Sequence, residues 1–264
     1  MKWSIEHGMS VRRVGSPAGG RSGAQPADNV QEIVWIHGLG ESSTSFLPIV
    51  EMLDGFAHTL VDLPGYGRSV WPDEPIGLLE LADQLASWLP KSAVVIGHSM
   101  GGVLATMIGD RAAAIVNIDG NISRGDCTFS GKASAWSERD FVDHGLAELR
   151  ARVYEDGLAD PPLRGYAAAM TFASPRMFHR HARELVELSE AESLAARFAA
   201  LTVPALFVAG VPRGICERSR NLLEEAGARW TGVEPAGHWV YLDQPARFAS
   251  IVRELCTSAL SSRR

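Results

Sequence analysis

Short apolar runs alternate along most of the chain with longer segments in which apolar residues recur every three or four positions. A strand that is covered on both faces has no polar side, so continuous apolar runs predict buried strands, and the segments between them predict helices. This β-α-β order predicts an α/β fold with a mostly parallel sheet flanked by helices. The strand candidates are residues 2–5, 9–14, 33–36, 59–61, 93–96, 115–118, 205–209 and 229–233. The helix candidates are residues 46–53, 78–89, 100–109, 219–226 and 245–259.

The alternation stops over residues 121–201, where the sequence is rich in Ala, Arg and Glu and predicts helices only. A stretch rich in Gly, Ser, Pro and Ala at residues 15–28 predicts a loop. At 264 residues the chain fits one α/β domain with an insertion better than two independent domains. We therefore predict a core domain formed by residues 1–120 and 202–264, with residues 121–201 inserted as a helical cap.

Composition and charge mainly exclude classes of partner. The formal net charge of -6 argues against binding to nucleic acids or anionic membranes, which leaves a small molecule as the expected partner. The cysteines, Cys127, Cys216 and Cys256, are widely spaced and match no metal-ligand pattern, which is typical of reduced thiols. The first residues lack the pattern of a signal peptide, and no apolar stretch reaches membrane-spanning length, so we expect a cytoplasmic protein. The sequence leaves the oligomeric state open.

A candidate nucleophile lies in the pentapeptide Gly97-His98-Ser99-Met100-Gly101, directly after one strand candidate and directly before a helix candidate. A serine hydroxyl is a weak nucleophile unless a tight strand-to-helix turn exposes it near a helix N-terminus. The glycines at 97 and 101 make such a turn sterically possible. The pattern G-x-S-x-G also arises by chance in loops, and the flanking strand and helix are what favour Ser99 as the nucleophile.

A second glycine-rich turn, His37-Gly38-Leu39-Gly40, follows another strand candidate. The backbone N–H of Leu39, together with that of Met100 after the nucleophile, predicts a donor pair for the oxyanion of an acyl-transfer reaction. The alternative is a simple turn without a catalytic role.

The candidate general base is His238, within Gly237-His238-Trp239 after the last strand candidate. A neutral imidazole at this edge of the sheet can accept the proton of Ser99 and return it to the leaving group. Among the other histidines, His98 is expected to point away within the sharp turn, and His37 belongs to the oxyanion turn. Any single histidine is more often structural, so the choice rests on chain order and location.

Taken together, these motifs resemble those of the α/β hydrolase family, and the resemblance covers nearly the whole chain in order. The matching motifs are HGLG at 37–40, DLPGYGRS at 62–69, GHSMGG at 97–102 and AGHW at 236–239. The resemblance implies a mostly parallel, eight-stranded sheet flanked by helices, with an inserted helical cap. It implies much less about the substrate, because this fold hosts many different activities.

The acid of the catalytic triad departs from the family pattern, because Arg213 stands where family members usually carry a carboxylate. A histidine base still needs an acid to orient it, so another carboxylate must lie at the same edge. Asp119 follows the strand candidate after the nucleophile, as in haloalkane dehalogenase-like and zearalenone lactonase-like members with a cap. Glu217 is the alternative acid, and the absence of a functional acid is a third possibility. Asp119 could also simply cap a turn with Gly120.

We expect a cofactor-independent serine hydrolase that cleaves an ester or lactone of a medium-sized, largely apolar molecule through an acyl-serine. No metal is expected either, because the sequence contains neither a ligand cluster nor a phosphate-binding glycine loop. A thioesterase, a carbon–carbon bond hydrolase or an acyltransferase would use the same serine. Two further alternatives are a non-catalytic receptor that retains the fold, which the arginine at position 213 motivates, and a lyase or oxygenase that does not acylate Ser99.

Overall fold

The computed structural model describes residues 2–15 and 31–261, so the predicted loop at 15–28 lies outside the described residues except for Gly15. Eight strands form a single sheet in the described ranges. Their bounds are β1 Lys2–Glu6, β2 Met9–Val14, β3 Glu32–Ile36, β4 Ala57–Asp62, β5 Val94–His98, β6 Ala114–Ile118, β7 Ala205–Arg213 and β8 Trp230–Gly237.

The strand order is β1-β2-β4-β3-β5-β6-β7-β8. The pairs β1–β2 and β2–β4 are antiparallel, and all the other neighbouring strands run parallel. Every residue of β5 and β6 is buried, as expected for central strands that are covered on both faces. The predicted fold, an α/β architecture with a mostly parallel sheet of eight strands, is confirmed.

Helices connect most of the parallel strands. None of the helices in the described part of the chain is both long and apolar enough to cross a membrane. The bounds are α1 Leu47–Val50, α2 Leu78–Trp88, α3 Met100–Ile108, α4 Thr128–Ser134, α5 Glu138–Asp140, α6 Leu146–Asp156, α7 Pro161–Ala169, α8 Pro175–Glu190, α9 Leu194–Ala199, α10 Glu217–Glu225, α11 Val240–Asp243 and α12 Pro245–Ser261.

The helix expected at residues 46–53 is shorter than predicted. A 3₁₀ turn at Ser43–Phe46 leads into α1, which ends at Val50. The N–H of Glu51 still bonds four residues back, but those of Met52 and Leu53 bond three residues back at 3.1 Å each, so the chain tightens into turns. Apolar spacing alone does not distinguish such turns from a continuous helix.

The last two strands are longer than predicted and carry the site's C-terminal side. They pair in parallel through Arg213 and Gly237, beyond the apolar runs that marked them in the sequence. Prolines and polar residues at these ends interrupt the apolar pattern of the strands. Because strand pairing depends on two segments, neither segment alone shows where its strand ends. The pairing fixes Arg213 beside the residue that precedes His238.

The chain leaves the sheet after β6 and returns at the neighbouring strand β7. Helices α4 to α9 occupy the intervening residues 121–201, all of which are described, and no named strand lies among them. α4 packs against α8 within this segment. The division into a core of residues 1–120 and 202–264 and a cap of residues 121–201 stays a prediction.

Packing of α2 in the hydrophobic core gives a direct test of the fold. Leu81 is fully buried, whereas Leu79 on the same helix is 65% exposed. We expect Leu81→Ala to lower the free energy of unfolding by roughly 2–5 kcal/mol, because it removes buried apolar contacts and leaves a cavity. Leu79→Ala, the matched control, should change that free energy by no more than about 0.5 kcal/mol. Urea denaturation measures both; equal losses would contradict the orientation of α2.

Candidate active site

Ser99 forms a sharp turn between β5 and α3. Its backbone adopts φ 54° and ψ -119°, a sparsely populated conformation that costs a non-glycine residue roughly 1–3 kcal/mol. Two glycines let the strand and helix approach closely, since a Cβ on Gly97 would lie 2.0 Å from the carbonyl oxygen of Gly101. The Ser99 N–H donates to the carbonyl oxygen of Ile118 on β6 at 2.8 Å, which fixes the turn to the neighbouring strand. The predicted strand, turn and helix are therefore all present around this serine.

The turn after β3 lies beside Ser99. A Cβ on Gly38 would be 3.1 Å from the Cβ of Ser99, so there is little room between the two backbones. The Gly38 N–H donates to the carboxylate of Glu41 at 2.8 Å and is therefore already used. The N–H groups of Leu39 and Met100, the predicted oxyanion donors, have no acceptor among the described residues. Met100 opens α3, where N–H groups lack acceptors within the helix.

Glu41 is a buried carboxylate that the sequence reasoning missed. Its Oε2 accepts from Gly38 and lies 2.9 Å from Nδ1 of His98, and its Oε1 accepts from the indole N–H of Trp239 at 2.5 Å. Burial alone raises the pKa of Glu41, but the charge of His98 and the surrounding hydrogen bonds outweigh burial and lower it to about 2. The signal in the sequence was a charged residue directly after a glycine turn at a buried sheet edge.

His238 follows the last residue of β8, and its ring packs against His98, the last residue of β5. Its Nδ1 is 3.8 Å from Oδ2 of Asp119, and its side chain is 26% exposed. Its ring centroid lies 4.6 Å from that of His98, which contacts it instead of pointing away. Burial, followed by the charge of His98, lowers the pKa of His238 to about 3. The ring is therefore neutral at neutral pH, which is the form that accepts a proton.

Asp119 follows β6 and is 1% exposed. Its Oδ1 accepts from the backbone N–H of Gly210 at 3.1 Å and from that of Ile215 at 3.3 Å. Burial raises the pKa of Asp119 well above its ordinary value, against the effect of these two hydrogen bonds. The carboxyl group is held from the β7 side of the sheet, with its second oxygen turned toward His238.

The alternative acid, Glu217, is placed differently. It opens α10 and is not among the residues that line the cavity at Ser99, whereas Asp119 is. Arg213, which replaces the acid usual in the family, does line that cavity. The placement favours Asp119 over Glu217 as the partner of His238.

Two cavities meet at this site. The first, of about 260 Å³, is lined by Ser99, His238, Asp119 and Leu39. The second, of about 390 Å³, lies beside it, and its wall is mainly apolar. Residues common to both walls are Glu41, Pro162, Tyr166 and Trp239. Apolar residues that line only the second cavity are Ala168, Ala169, Phe172 and Leu242, and Gly165 also lines it.

A metal site is not evident within residues 2–15 and 31–261. No group of three or more His, Cys, Asp or Glu side chains is arranged there to hold a metal ion.

The chain matches a family model and a known relative over most of its length. The family model described as "Alpha/beta hydrolase family" matches residues 33–251. The chain is 26% identical over 249 residues to a pimeloyl-acyl-carrier-protein methyl ester esterase of Photorhabdus laumondii subsp. laumondii. That alignment covers 86% of this chain and 92% of the relative.

Solved structures are similar over nearly the full length. An enol-lactonase from Burkholderia xenovorans LB400 has a TM-score of 0.74 at 18% identity, covering 97% of this chain and 100% of that one. A carboxylesterase from Nitrososphaera gargenis has a TM-score of 0.75 at 16% identity, covering 99% of this chain and 100% of the other. At these identities the likeness supports a common fold and nothing narrower.

The two candidate acids can be separated by matched amide substitutions. We expect Asp119→Asn to lower kcat for an activated ester by on the order of 10⁴-fold, because the amide cannot hold the histidine in the required tautomer. Glu217→Gln should leave kcat within about twofold of wild type, since that side chain lies outside the cavity wall. Steady-state kinetics on p-nitrophenyl esters measure both. The reverse order of losses would transfer the role to Glu217.

Proposed function

The chain belongs to the alpha/beta hydrolase family, and we propose that it is a serine hydrolase that cleaves a carboxylic ester or lactone. In this proposal Ser99 is the nucleophile, His238 the general base and acid, and Asp119 the residue that orients His238. The N–H groups of Leu39 and Met100 bind the oxyanion. The observation that carries the proposal is the meeting of a strained, strand-to-helix serine with a neutral histidine and a buried carboxylate in one cavity.

The reaction proceeds in two halves. In acylation, Ser99 Oγ bonds to the substrate carbonyl carbon while its proton passes to His238, and the bond to the leaving oxygen then breaks as His238 returns that proton. In deacylation, His238 takes a proton from water, the hydroxide oxygen bonds to the acyl carbon, and the serine leaves with the proton. The charge on the tetrahedral oxygen is stabilised by the two backbone donors in both halves.

The contacts of His238 must tighten during this reaction. The 3.8 Å separation between His238 Nδ1 and Asp119 Oδ2 is longer than a hydrogen bond. Catalytic hydrogen bonds are often long without substrate and shorten in the Michaelis complex. Protonation of His238 supplies the driving force, since an imidazolium attracts the carboxylate more strongly than neutral imidazole does.

The two adjoining cavities support a medium-sized, largely apolar substrate. The first cavity receives the reacting carbonyl, and the second takes an apolar arm of the ester that passes Tyr166 and Trp239. Burial of each methylene contributes about 0.8 kcal/mol, so a chain of a few carbons gains appreciable affinity there. Pro162 and Tyr166 belong to the proposed cap, which would therefore help to select the substrate.

Other family activities remain as alternatives that share the acyl-serine. A thioester, a carbon–carbon bond or acyl transfer to another acceptor would use the same three side chains. A receptor without turnover is favoured only by Arg213 in the usual acid position, and the carboxylate of Asp119 near His238 weighs against it.

The assignment of the nucleophile predicts stoichiometric labelling. We expect a fluorophosphonate to add one label to the wild-type chain and none to Ser99→Ala, because Ser99 shares its cavity with His238 and lies at the turn that carries the Met100 N–H. Loss of the nucleophile should lower kcat by on the order of 10⁶-fold. Intact-mass spectrometry and p-nitrophenyl ester turnover measure the two effects, with Ser250→Ala on α12 as a control that retains both. An unlabelled, inactive wild-type chain would favour the receptor.

The apolar second cavity can be filled at Gly165 on α7. A Cβ there meets no atom within 4 Å, and Gly165 lines this cavity, so we expect Gly165→Leu to fold and to narrow the cavity. We expect at least a tenfold loss of kcat/KM for esters with an eight-carbon chain relative to acetate, since about three methylenes are displaced. The control Gly165→Ala should leave that ratio unchanged. Acyl chains and alcohol chains are varied separately, and a flat profile in both series would rule out this cavity.

A further inference from the structure

His98 lies between two hydrogen-bond acceptors. Its Nδ1 is 2.9 Å from Oε2 of Glu41, and its Nε2 is 3.0 Å from the backbone carbonyl oxygen of His238. The side chain of His98 is 1% exposed, so bulk water does not donate hydrogen bonds to these two acceptors in its place. A neutral imidazole carries one N–H and can satisfy only one of the two acceptors.

The other contacts of Glu41 show that it acts as an acceptor on both oxygens. The Gly38 N–H donates to Oε2, and the Trp239 indole N–H donates to Oε1. A protonated Glu41 would instead donate from Oε2 to Nδ1 of His98, but the two N–H donors stabilise the ionised carboxylate over the neutral acid. The arrangement of donors therefore matches an ionised Glu41, which leaves both ring nitrogens of His98 as donors.

We infer that His98 is an imidazolium paired with the Glu41 carboxylate, and that this buried pair is a positioning device for His238. The inference rests on the proposed function for the role of His238, while the ionisation of the pair rests on the two N–H donors that stabilise the Glu41 carboxylate. His98 holds the backbone of His238 through its carbonyl group and presents a positive charge to its ring.

The charges around His238 act in opposite directions. Asp119, at 3.8 Å from Nδ1, stabilises a proton on the ring, and so does the more distant Glu41. His98, with its ring centroid 4.6 Å away, opposes that proton. Further charged groups line the same cavity, namely Asp126, Asp160, Arg213 and Asp243.

This balance has a consequence for catalysis. A histidine beside a buried carboxylate alone would tend to keep its proton, and a protonated His238 cannot activate Ser99. The cation at His98 favours the neutral base and transfer of the proton onward to the leaving group. The low pKa of His238, about 3, with burial as its first cause and His98 as its second, is consistent with that direction.

The ionisation is tested by NMR on the wild-type chain labelled with ¹⁵N. We expect His98, assigned by triple-resonance experiments, to show two protonated ring nitrogens near neutral pH. In Glu41→Gln the carboxylate is lost, and we expect His98 to show one protonated and one unprotonated nitrogen. A single protonated nitrogen on His98 in the wild type would overturn the inference, whether or not the protein hydrolyses any ester.

The effect on His238 is tested by the pH dependence of kcat/KM. His238 must be neutral to act as the base, so kcat/KM falls as the pH drops through the pKa of His238. Removing the neighbouring cation raises that pKa, so this fall, the acid limb of the profile, moves to higher pH. We expect His98→Gln to move this limb up by about one pH unit, a tenfold loss on its acid side. The same substitution at exposed His144 is the control and should not move it.

A purely structural His98 would give a different result. His98→Gln would then lower kcat/KM equally at every pH and leave the acid limb in place, which would overturn the charge-setting role. Failure of the proposed function has its own signature, because the wild-type chain would then be inactive or Ser99→Ala would retain its activity, while the ¹⁵N spectrum of His98 would be unaffected.

Discussion

A carboxylate that is buried without solvent must be neutralised by its neighbours, and Glu41 meets this constraint by drawing three turns together. It accepts from the turn after β3 through Gly38, from the indole that follows His238, and it contacts the residue before Ser99. Leaving such a charge unpaired is strongly destabilising, so these turns cannot move apart independently. The relative positions of Ser99, the turn after β3 and the loop of His238 therefore depend on the contacts that compensate the buried charge of Glu41.

The parallel sheet makes this convergence possible. In parallel strands the carboxyl ends lie at one edge, so the turns after β3, β5, β6 and β8 meet although they are far apart in the chain. Asp119 is held at the same edge by N–H groups of the β7 segment. Polar groups that converge on such an edge, outside the carboxyl ends of the strands, form the usual ligand site of open α/β sheets.

The acid that orients His238 was assigned from the sequence and the structure together. Arg213 in the usual position removed the expected carboxylate, and the family resemblance offered Asp119 after β6 as a replacement without excluding Glu217. The distance of 3.8 Å to His238 favours Asp119 because it places a buried carboxylate beside the base. Such a distance depends on the pairing of β6 with β7 and of β7 with β8, which no local pattern specifies.

The sequence by itself determined the class of fold, the order of strands and helices, and the turns that carry Ser99, Leu39 and His238, because glycine spacing and apolar periodicity are local properties. The sequence pattern did not show the full lengths of β7 and β8, nor did it show the role of Glu41. Only the tertiary structure decided that Glu41, His98 and Trp239 share one buried network. The physical reason is that the protonation and burial of a polar side chain are set by partners distant in the chain, and these are known only once the strands have paired.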